Sequence, residues 1–236
     1  MKPTAILFDL DGTLLPMDQD VFTKSYFRLL AAKMAPNGYE PKSLVDGVWS
    51  GTAAMVKNDG SRTNEEAFWE CFGARMGARV QEHRHLFDEF YRADFQQARA
   101  FCGLNPLARE SVALAKDLGL RVALATNPLF PSFATESRIR WAGLEPEDFE
   151  TFTSYENCRT CKPNPDYYRE LLDRLNLRAQ ECVMVGNDAD EDMVAETLGM
   201  DVFLLTDCLI NRGNREIVWP HGDFNALMDY LRARAA

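Results

Sequence analysis

The stretch that decides the fold is residues 5–14, which read AILFDLDGTL. Its first four residues are all apolar, which is typical of a strand buried on both faces of a parallel sheet. Asp9 and Asp11 follow directly, and Gly12 permits a sharp turn after them. Two carboxylates near a protein interior are costly unless a cation neutralises them. The stretch therefore predicts a buried strand that ends in a cation-binding pair of acids.

Short apolar runs of the same kind recur along the chain and alternate with helical patterns. Strand candidates lie at 121–125, 182–185 and 201–205, with a weaker one at 151–154, and helix candidates lie at 106–118, 131–141, 165–175, 189–198 and 223–233. Strand–helix–strand alternation is typical of an α/β domain with helices on both faces of a sheet. We therefore expect a doubly wound parallel sheet.

Residues 16–100 interrupt this alternation. They contain no strand-like run and several helical ones, at 19–34, 44–57, 64–76 and 80–100. We expect a helical cap at residues 16–100, inserted into a core made of residues 1–15 and 101–236. Such an insertion could cover the carboxyl edge of the sheet, where α/β folds bind ligands.

Composition limits the classes of partner. The chain has 236 residues, of which 46% are hydrophobic and 26% charged, as in an ordinary globular protein. A formal net charge of −10 disfavours a nucleic-acid partner, because binding to the phosphate backbone needs a basic surface. The sequence has no membrane-length apolar run and its start does not resemble a signal peptide. We therefore expect a cytoplasmic protein without a membrane partner.

The six cysteines include a C-x-x-C pair, Cys158 and Cys161. A structural zinc site needs two more ligands at similar spacing, and the sequence offers none. In the cytoplasm, reduced thiols are the default state. We therefore interpret this pair as two thiols in a loop.

Polar residues follow the other predicted strands. Thr126 and Asn127 come directly after the second strand candidate, and Lys162 lies further downstream in the sequence CKPNP. Residues 186–192 read GNDADED and follow the third strand candidate. Taken singly, Thr126 and Lys162 carry little information. Together with residues 5–14, and in this order, these features are hard to obtain by chance.

The four features resemble the motifs of the haloacid-dehalogenase superfamily. Those motifs are D-x-D-G-T after the first strand, a Thr or Ser at the end of the second, a downstream Lys, and an acidic cluster after a further strand. The resemblance extends over the whole chain and implies a phosphatase with a helical cap. It also implies a small phosphorylated substrate and Mg²⁺ as cofactor.

The resemblance implies a role for each acid of the first motif. Asp9 would attack phosphorus and form an aspartyl-phosphate, a form of covalent catalysis. Asp11 would protonate the leaving oxygen and then activate water. Its backbone carbonyl would also contact the metal. Mg²⁺ binds oxygen ligands and keeps several waters, so a few carboxylates suffice to hold it.

The remaining motifs are expected to bind the phosphoryl group and complete the site. Thr126 offers a hydroxyl and Asn127 an amide to the phosphoryl oxygens, while Lys162 offers a positive charge. Phosphoryl transfer depends mainly on such positioning and charge neutralisation. The expected metal ligands are Asp9, Asp11, Asn187 and Asp188.

The fourth motif departs from the commonest pattern, in which Gly-Asp follows the strand. Here Asn187 follows the glycine and Asp188 comes next, so two registers are possible. Asp192 is the paired acid five residues after the first or four residues after the second. An Asn oxygen can ligate Mg²⁺, but with less charge. We expect both Asn187 and Asp188 near the metal, with Asp192 beside Lys162.

Fold alone does not fix the reaction. The superfamily's dehalogenases lack an acid at the position of Asp11, and its transport ATPases have Thr there, so hydrolysis of a small phosphate ester is favoured. Two alternatives stay open: a phosphomutase or phosphotransferase acting on a sugar phosphate, and a non-catalytic binding module. A nucleotide-binding oxidoreductase would need G-x-G-x-x-G after the first strand and is set aside. In the cap, Trp49, Lys57 and Arg62 are candidate substrate contacts.

Overall fold

A computed structural model describes residues 2–235, and within them five parallel strands form one sheet. The strands are β1 (Ala5–Phe8), β2 (Arg121–Leu124), β3 (Cys182–Gly186), β4 (Asp201–Leu205) and β5 (His221–Gly222). Their order across the sheet is β2-β1-β3-β4-β5, so β1 lies between β2 and β3. The predicted α/β class with a parallel sheet is confirmed.

Strands β1, β2 and β3 end at the same level. Phe8 of β1 pairs with Leu124 of β2 on one side and with Val185 of β3 on the other. The polar residues that follow these strands therefore emerge at one edge of the sheet. This alignment brings together the first, second and fourth sequence motifs, although the first lies more than a hundred residues from the other two in the chain.

Two details of the strand prediction differ from the structure. In the weaker candidate at 151–154, Phe152 alone forms an isolated bridge, to Leu124. The hydroxyl of its neighbour Thr153 instead donates to the carbonyl of Thr126, at 2.6 Å, and so supports the loop after β2. The strand β5 is only two residues long, too short to leave a periodic pattern in the sequence.

Helices pack on both faces of the sheet. They are α6 (Pro106–Asp117), α7 (Ser132–Trp141), α8 (Pro165–Leu175) and α9 (Phe224–Ala235). Alternate residues of β1 point to opposite faces, as the pleat requires. Ile6 and Phe8 join the apolar cluster that includes α6 and α9, whereas Leu7 joins the cluster that includes α8. The fold is therefore doubly wound.

The segment between β1 and β2 is helical. It contains α1 (Gln19–Met34), α2 (Pro41–Val56), α3 (Asn64–Met76), α4 (Arg79–Glu82), α5 (Arg84–Arg92) and a 3₁₀ helix at Asp94–Phe101. The predicted helix at 80–100 is broken at His83 and Ala93. The break at His83 lets its imidazole bond the hydroxyl of Tyr39, 3.1 Å away, and the turned chain buries Phe87 and Phe90.

The helical segment is anchored to the loop before α8. At the start of α3, the backbone N–H of Asn64 donates to the carbonyl of Cys158, and that of Glu65 donates to the carbonyl of Tyr155. The Asn64 amide also donates to the carbonyl of Thr160, at 3.2 Å. These bonds hold α3 beside the loop that carries Lys162. The proposed boundaries of cap and core stay a prediction. Across residues 2–235, every helix is too short or too polar to cross a bilayer.

Candidate functional site

Asp9 leaves the end of β1 with both carboxylate oxygens engaged. Its Oδ1 accepts a hydrogen bond from Nζ of Lys162 at 2.9 Å, and its Oδ2 accepts one from the hydroxyl of Thr13, also at 2.9 Å. Its own N–H donates to the carbonyl of Val185 in the neighbouring strand. Two side chains therefore orient the carboxylate, and the bond to β3 fixes the backbone of Asp9.

Lys162 is buried between two carboxylates. Its Nζ lies 2.9 Å from Oδ1 of Asp9 and 2.6 Å from Oδ1 of Asp192. Burial alone would lower the pKa of Lys162, but the charges of Asp192 and Asp9 outweigh it and hold that pKa well above its ordinary value. Burial raises the pKa of Asp192, and Lys162 opposes that rise. A permanent positive charge thus lies beside Asp9.

Asn187 directs its amide oxygen towards Asp9. Its Nδ2 donates to the carbonyl of Cys208 at 2.7 Å, which leaves Oδ1 facing the hydroxyl of Thr13 at 3.0 Å. That same hydroxyl contacts Oδ2 of Asp9. Because Thr13 carries one proton, it can donate to only one of these two oxygens at a time. The pair of oxygens is therefore short of donors, which suits a cation.

The side chain of Asp188 is engaged elsewhere. Its Oδ1 accepts from the N–H groups of Asp190 and Glu191, at 2.8 and 3.0 Å, and its Oδ2 pairs with Arg212 at 2.9 Å. These bonds hold the turn after β3. Residues 189–192, the first part of the helix predicted at 189–198, form this turn, and the rest is a 3₁₀ helix at Met193–Leu198. Of the two registers left open by the sequence, this geometry favours the one in which Asn187 takes the metal position.

Gly186 makes room for the carboxylate of Asp192. A Cβ at residue 186 would lie 2.1 Å from Oδ2 of Asp192, far inside van der Waals contact. That oxygen instead accepts a hydrogen bond from the N–H of Asp188 at 3.0 Å. Gly12 makes room for Asn187 in the same way. Its φ is +86°, and the Asn187 amide occupies the space that a Cβ would need. Each glycine therefore lets a side chain of the turn after β3 pack directly against the backbone.

Thr126 and Asn127 follow β2 at the same edge. The carbonyl of Thr126 accepts from the hydroxyls of Thr153 and Tyr167, at 2.6 and 2.9 Å, which fixes the loop. The amide nitrogen of Asn127 donates to Glu191 at 2.9 Å. Its buried Oδ1 has no hydrogen-bond partner among the described residues.

Arg138 was missed by the sequence analysis. It lies on α7, is fully buried, and pairs with Oδ2 of Asp11. It also donates to the hydroxyl of Thr135 at 3.1 Å and stacks over the ring of Phe130, with 4.4 Å from Cζ to the ring centroid. The sequence offered one weak sign of a buried arginine: Arg138 lies on the same face of α7 as Ala134 and Thr135, both of which are buried.

Asp11 is subject to opposing influences. Burial raises its pKa, whereas the guanidinium of Arg138 lowers it and the charge of Asp9 raises it. Its Oδ1 is buried and has no hydrogen-bond partner within residues 2–235. A carboxyl group with one free oxygen and a raised pKa is suited to exchanging a proton with a bound molecule.

The predicted site residues meet around one cavity of about 170 Å³. Its lining includes Asp9, Asp11, Thr126, Asn127, Asn187, Asp188 and Asp192, and Lys162 contacts the cavity's lining through its two ion pairs. Two of the cap candidates lie elsewhere: Lys57 and Arg62 border a separate surface pocket, and Arg62 pairs with Glu70. Trp49 lines a different cavity, described below.

The donor set decides which cation this cavity could hold. Among residues 2–235, no group of three or more His, Cys, Asp or Glu side chains is arranged to hold a metal ion. An ion beside Asp9 would therefore also need the amide oxygen of Asn187 and backbone carbonyls. Oxygen donors with few carboxylates fit Mg²⁺, which keeps part of its water shell, and do not fit Zn²⁺.

Comparison with known proteins agrees with this geometry. A family model described as haloacid dehalogenase-like hydrolase matches residues 3–195. The chain belongs to this family. The matched region contains all four motifs, from residues 5–14 to the turn at 186–192. The family resemblance stated from the sequence is confirmed.

Several members of this hydrolase family align with most of the chain. A phosphorylated carbohydrates phosphatase of Thermotoga maritima is 23% identical over 96% of this chain and 99% of its own. A phosphoglycolate phosphatase of Vibrio cholerae is 29% identical over 85% of this chain and 83% of its own. The crystal structure of a 2-haloacid dehalogenase from Pseudomonas syringae pv. Tomato superposes with a TM-score of 0.64 at 20% identity, over 99% of this chain and 100% of its own. The last comparison establishes the fold.

Proposed function

We propose that this family member is a Mg²⁺-dependent phosphatase that removes phosphate from a small phosphorylated metabolite through an aspartyl-phosphate on Asp9. One observation carries the proposal. The Asp9 carboxylate borders a cavity, with a buried ammonium 2.9 Å from one oxygen and with the hydroxyl of Thr13 bridging the other to the amide oxygen of Asn187. A carboxylate placed between a fixed cation and an oxygen-rich pocket is arranged to attack a phosphate ester.

In the first half of the reaction, a carboxylate oxygen of Asp9 forms a bond to phosphorus. The bond from phosphorus to the ester oxygen breaks, and Asp11 gives its proton to that oxygen. Lys162 neutralises charge on the nucleophile and on the transferred group, while Thr126 and Asn127 offer polar groups to the phosphoryl oxygens. Such positioning and neutralisation supply most of the rate enhancement in phosphoryl transfer.

In the second half, Asp11 accepts a proton from water, and the water oxygen bonds to phosphorus. The bond between phosphorus and Asp9 then breaks, which releases inorganic phosphate and restores both carboxyl groups. Microscopic reversibility requires the same residue to act first as acid and then as base. The free Oδ1 of Asp11 supports this assignment.

Asp9, Asn187 and the backbone carbonyl of Asp11 would hold the Mg²⁺, with Asp188 at the border of the site. When bound, the ion neutralises negative charge on the phosphoryl oxygens. The oxygens of Asp9 and Asn187 share a single hydroxyl donor, which leaves one of them available to a cation. This arrangement supports the cofactor assignment.

The relatives support only the broad class of small phosphate esters, because one is named for phosphorylated carbohydrates and another for phosphoglycolate. Residues 16–100 act as the cap in this proposal and restrict the site to small molecules rather than nucleic acid. The net charge of −10 agrees with that restriction. The proposed location is the cytoplasm.

The direct test is release of inorganic phosphate from p-nitrophenyl phosphate. We expect turnover with Mg²⁺, loss of turnover with a chelator, and recovery when Mg²⁺ is restored. Asp9→Asn should lose turnover and keep its circular dichroism spectrum, whereas Asp173→Asn, at an exposed position on α8, should keep both. Turnover retained in Asp9→Asn would contradict the assignment of the nucleophile.

A further inference from the structure

A second cavity, of about 140 Å³, lies in the helical segment. Ten of the fifteen described residues that line it are aromatic, and none of the fifteen is charged. Five of its aromatic residues, Phe27, Trp49, Phe68, Tyr91 and Phe130, remain at least partly exposed, so the cavity has an outer rim. We call this space the aromatic cavity. Its lining contrasts with the polar lining around Asp9.

The polar atoms of this lining are mostly bonded to one another or to backbone. The hydroxyls of Tyr26 and Tyr91 lie 2.8 Å apart, and the indole of Trp69 donates to the hydroxyl of Tyr155 at 3.4 Å. The hydroxyl of Thr52 donates to a carbonyl of its own helix at 3.0 Å. A ligand group in this space would therefore find few free donors or acceptors.

The aromatic cavity adjoins the catalytic cavity. Four residues, Phe22, Thr23, Leu129 and Phe130, line both. Phe130 is held in place by Arg138, which stacks on it and pairs with Asp11. A phosphate ester with its phosphorus at Asp9 has its phosphoryl end among the polar residues. These four side chains separate that position from the aromatic cavity.

We propose that the organic group on the substrate's phosphate is apolar and about the size of a benzene ring, and that it is bound in the aromatic cavity. This inference rests on the phosphatase function proposed above. An apolar cavity of about 150 Å³ in another protein stays dry and binds benzene, which sets the scale. A carboxylate or a set of sugar hydroxyls would lose water in this space without gaining partners, which is costly.

The first test uses a series of straight-chain alkyl phosphates, from ethyl to hexyl phosphate. Their leaving alcohols have nearly equal acidity, so a change in kcat/KM along the series reports binding of the chain. Full burial of each added methylene corresponds to a gain of about fourfold. We expect hexyl phosphate to exceed ethyl phosphate by roughly tenfold or more in kcat/KM. We also expect it to exceed phosphoglycolate and glucose 6-phosphate.

The two hypotheses fail in different ways. If none of these esters, nor p-nitrophenyl phosphate, releases phosphate, the proposed function is wrong. If phosphate is released but the alkyl series is flat, or if phosphoglycolate or glucose 6-phosphate exceeds hexyl phosphate, the function stands and the apolar substrate class is wrong.

A matched pair of variants locates the effect. Thr52→Phe adds volume inside the aromatic cavity, while Val56→Phe adds volume at an exposed position one turn further along the same helix α2. We expect Thr52→Phe to reduce the hexyl-to-ethyl ratio of kcat/KM at least threefold, and Val56→Phe to retain it. Equal ratios in both variants would contradict binding in this cavity.

If Thr52→Phe does not fold, a binding measurement on the wild-type protein tests the proposal instead. Trp49 and Trp69 line the cavity, so their fluorescence should change when the non-hydrolysable hexylphosphonate binds to the wild-type protein. Methylphosphonate, which lacks the chain, should bind at least tenfold more weakly. Equal affinity for the two phosphonates would overturn the proposal.

Discussion

The buried Arg138 forms an ion pair with the partly exposed Asp11, which joins α7 to the loop after β1. The guanidinium also stacks on Phe130, so one side chain links the proposed general acid to the wall shared by the two cavities. Breaking such a pair by removing one partner is costly, because it leaves a buried charge uncompensated. We therefore assign Arg138 as a positioning residue for Asp11.

The pair predicts a shift in the pH profile. Burial raises the pKa of Asp11 and Arg138 lowers it, so Arg138→Met removes the lowering influence. Because Asp11 must be protonated to act as an acid, activity falls as the pH rises through its pKa. That alkaline limb should therefore move to higher pH in Arg138→Met, as measured by kcat/KM for an alkyl phosphate across the pH range.

Two further variants control this experiment. Arg138→Lys keeps the positive charge and should keep the limb near its wild-type position. Arg140→Met, which removes an exposed arginine from the same helix, should leave the profile unchanged. If the alkaline limb stays in place or moves to lower pH in Arg138→Met, Arg138 does not lower the pKa of the group that donates the proton.

Asp11→Asn tests the proton transfer directly. General acid catalysis contributes about 10²- to 10⁴-fold, and only where the leaving group needs a proton. We expect a loss of that order in kcat/KM for hexyl phosphate and a much smaller loss for p-nitrophenyl phosphate, whose leaving group is stable as an anion. Asp173→Asn again serves as the control. Equal losses for both substrates would argue against the acid role.

Gly186→Ala tests whether Asp192 must hold Lys162 in place. The new Cβ would collide with Asp192 at 2.1 Å, so the carboxylate must move away from Lys162. We expect a loss of about 1–3 kcal/mol in the free energy of unfolding, as overpacking typically costs, together with reduced turnover. Denaturant unfolding and phosphate release measure the two effects.

Gly73→Ala is the matched glycine control. Residue 73 lies inside α3, and a Cβ there would meet its nearest neighbour, Gln81, at an ordinary 3.5 Å. Alanine is favoured over glycine within a helix by about 0.5–1 kcal/mol, so this variant should be at least as stable as the wild type. If Gly186→Ala were equally stable, the close approach of Asp192 would not constrain that position.

The reactivity of the cysteines tests whether Cys158 is buried as the structure shows. Burial raises the pKa of the Cys158 thiol to about 12, so very little reactive thiolate is present at neutral pH. Iodoacetamide at pH 7.5 should therefore label the partly exposed Cys71 and Cys208 well before Cys158. Mass spectrometry of the digested protein measures the order, and labelling in denaturant supplies the control. Early labelling of Cys158 would contradict its buried position.

The sequence predicted the sheet, and it predicted which polar residues lie at its carboxyl edge, because both depend on local signals. A fully apolar run followed by polar residues marks the end of a buried parallel strand, and Asp9, Thr126 and Asn187 each occupy such a place. The alignment of β1, β2 and β3 then determines that these residues meet. No knowledge of side-chain contacts was needed for that step.

Other features of the site depend on contacts between distant residues. Arg138 lies 127 positions from Asp11, and nothing in the pattern of α7 identifies its partner. The choice between Asn187 and Asp188 likewise depends on Arg212, whose guanidinium engages Asp188 from a separate loop. The turn at His83 is set by a contact with Tyr39, 44 positions away. The hydrophobic periodicity of a segment carries no information about contacts with distant residues.

The central claim is that phosphorus becomes bonded to Asp9. Asp11→Asn should form the aspartyl-phosphate from p-nitrophenyl phosphate and hydrolyse it slowly, because the base that activates water is gone. Acid quenching followed by mass spectrometry of the peptides should then show one added phosphoryl group on Asp9. A steady release of p-nitrophenol and phosphate with no phosphoryl group on Asp9, or with that group on another residue, would contradict the claim.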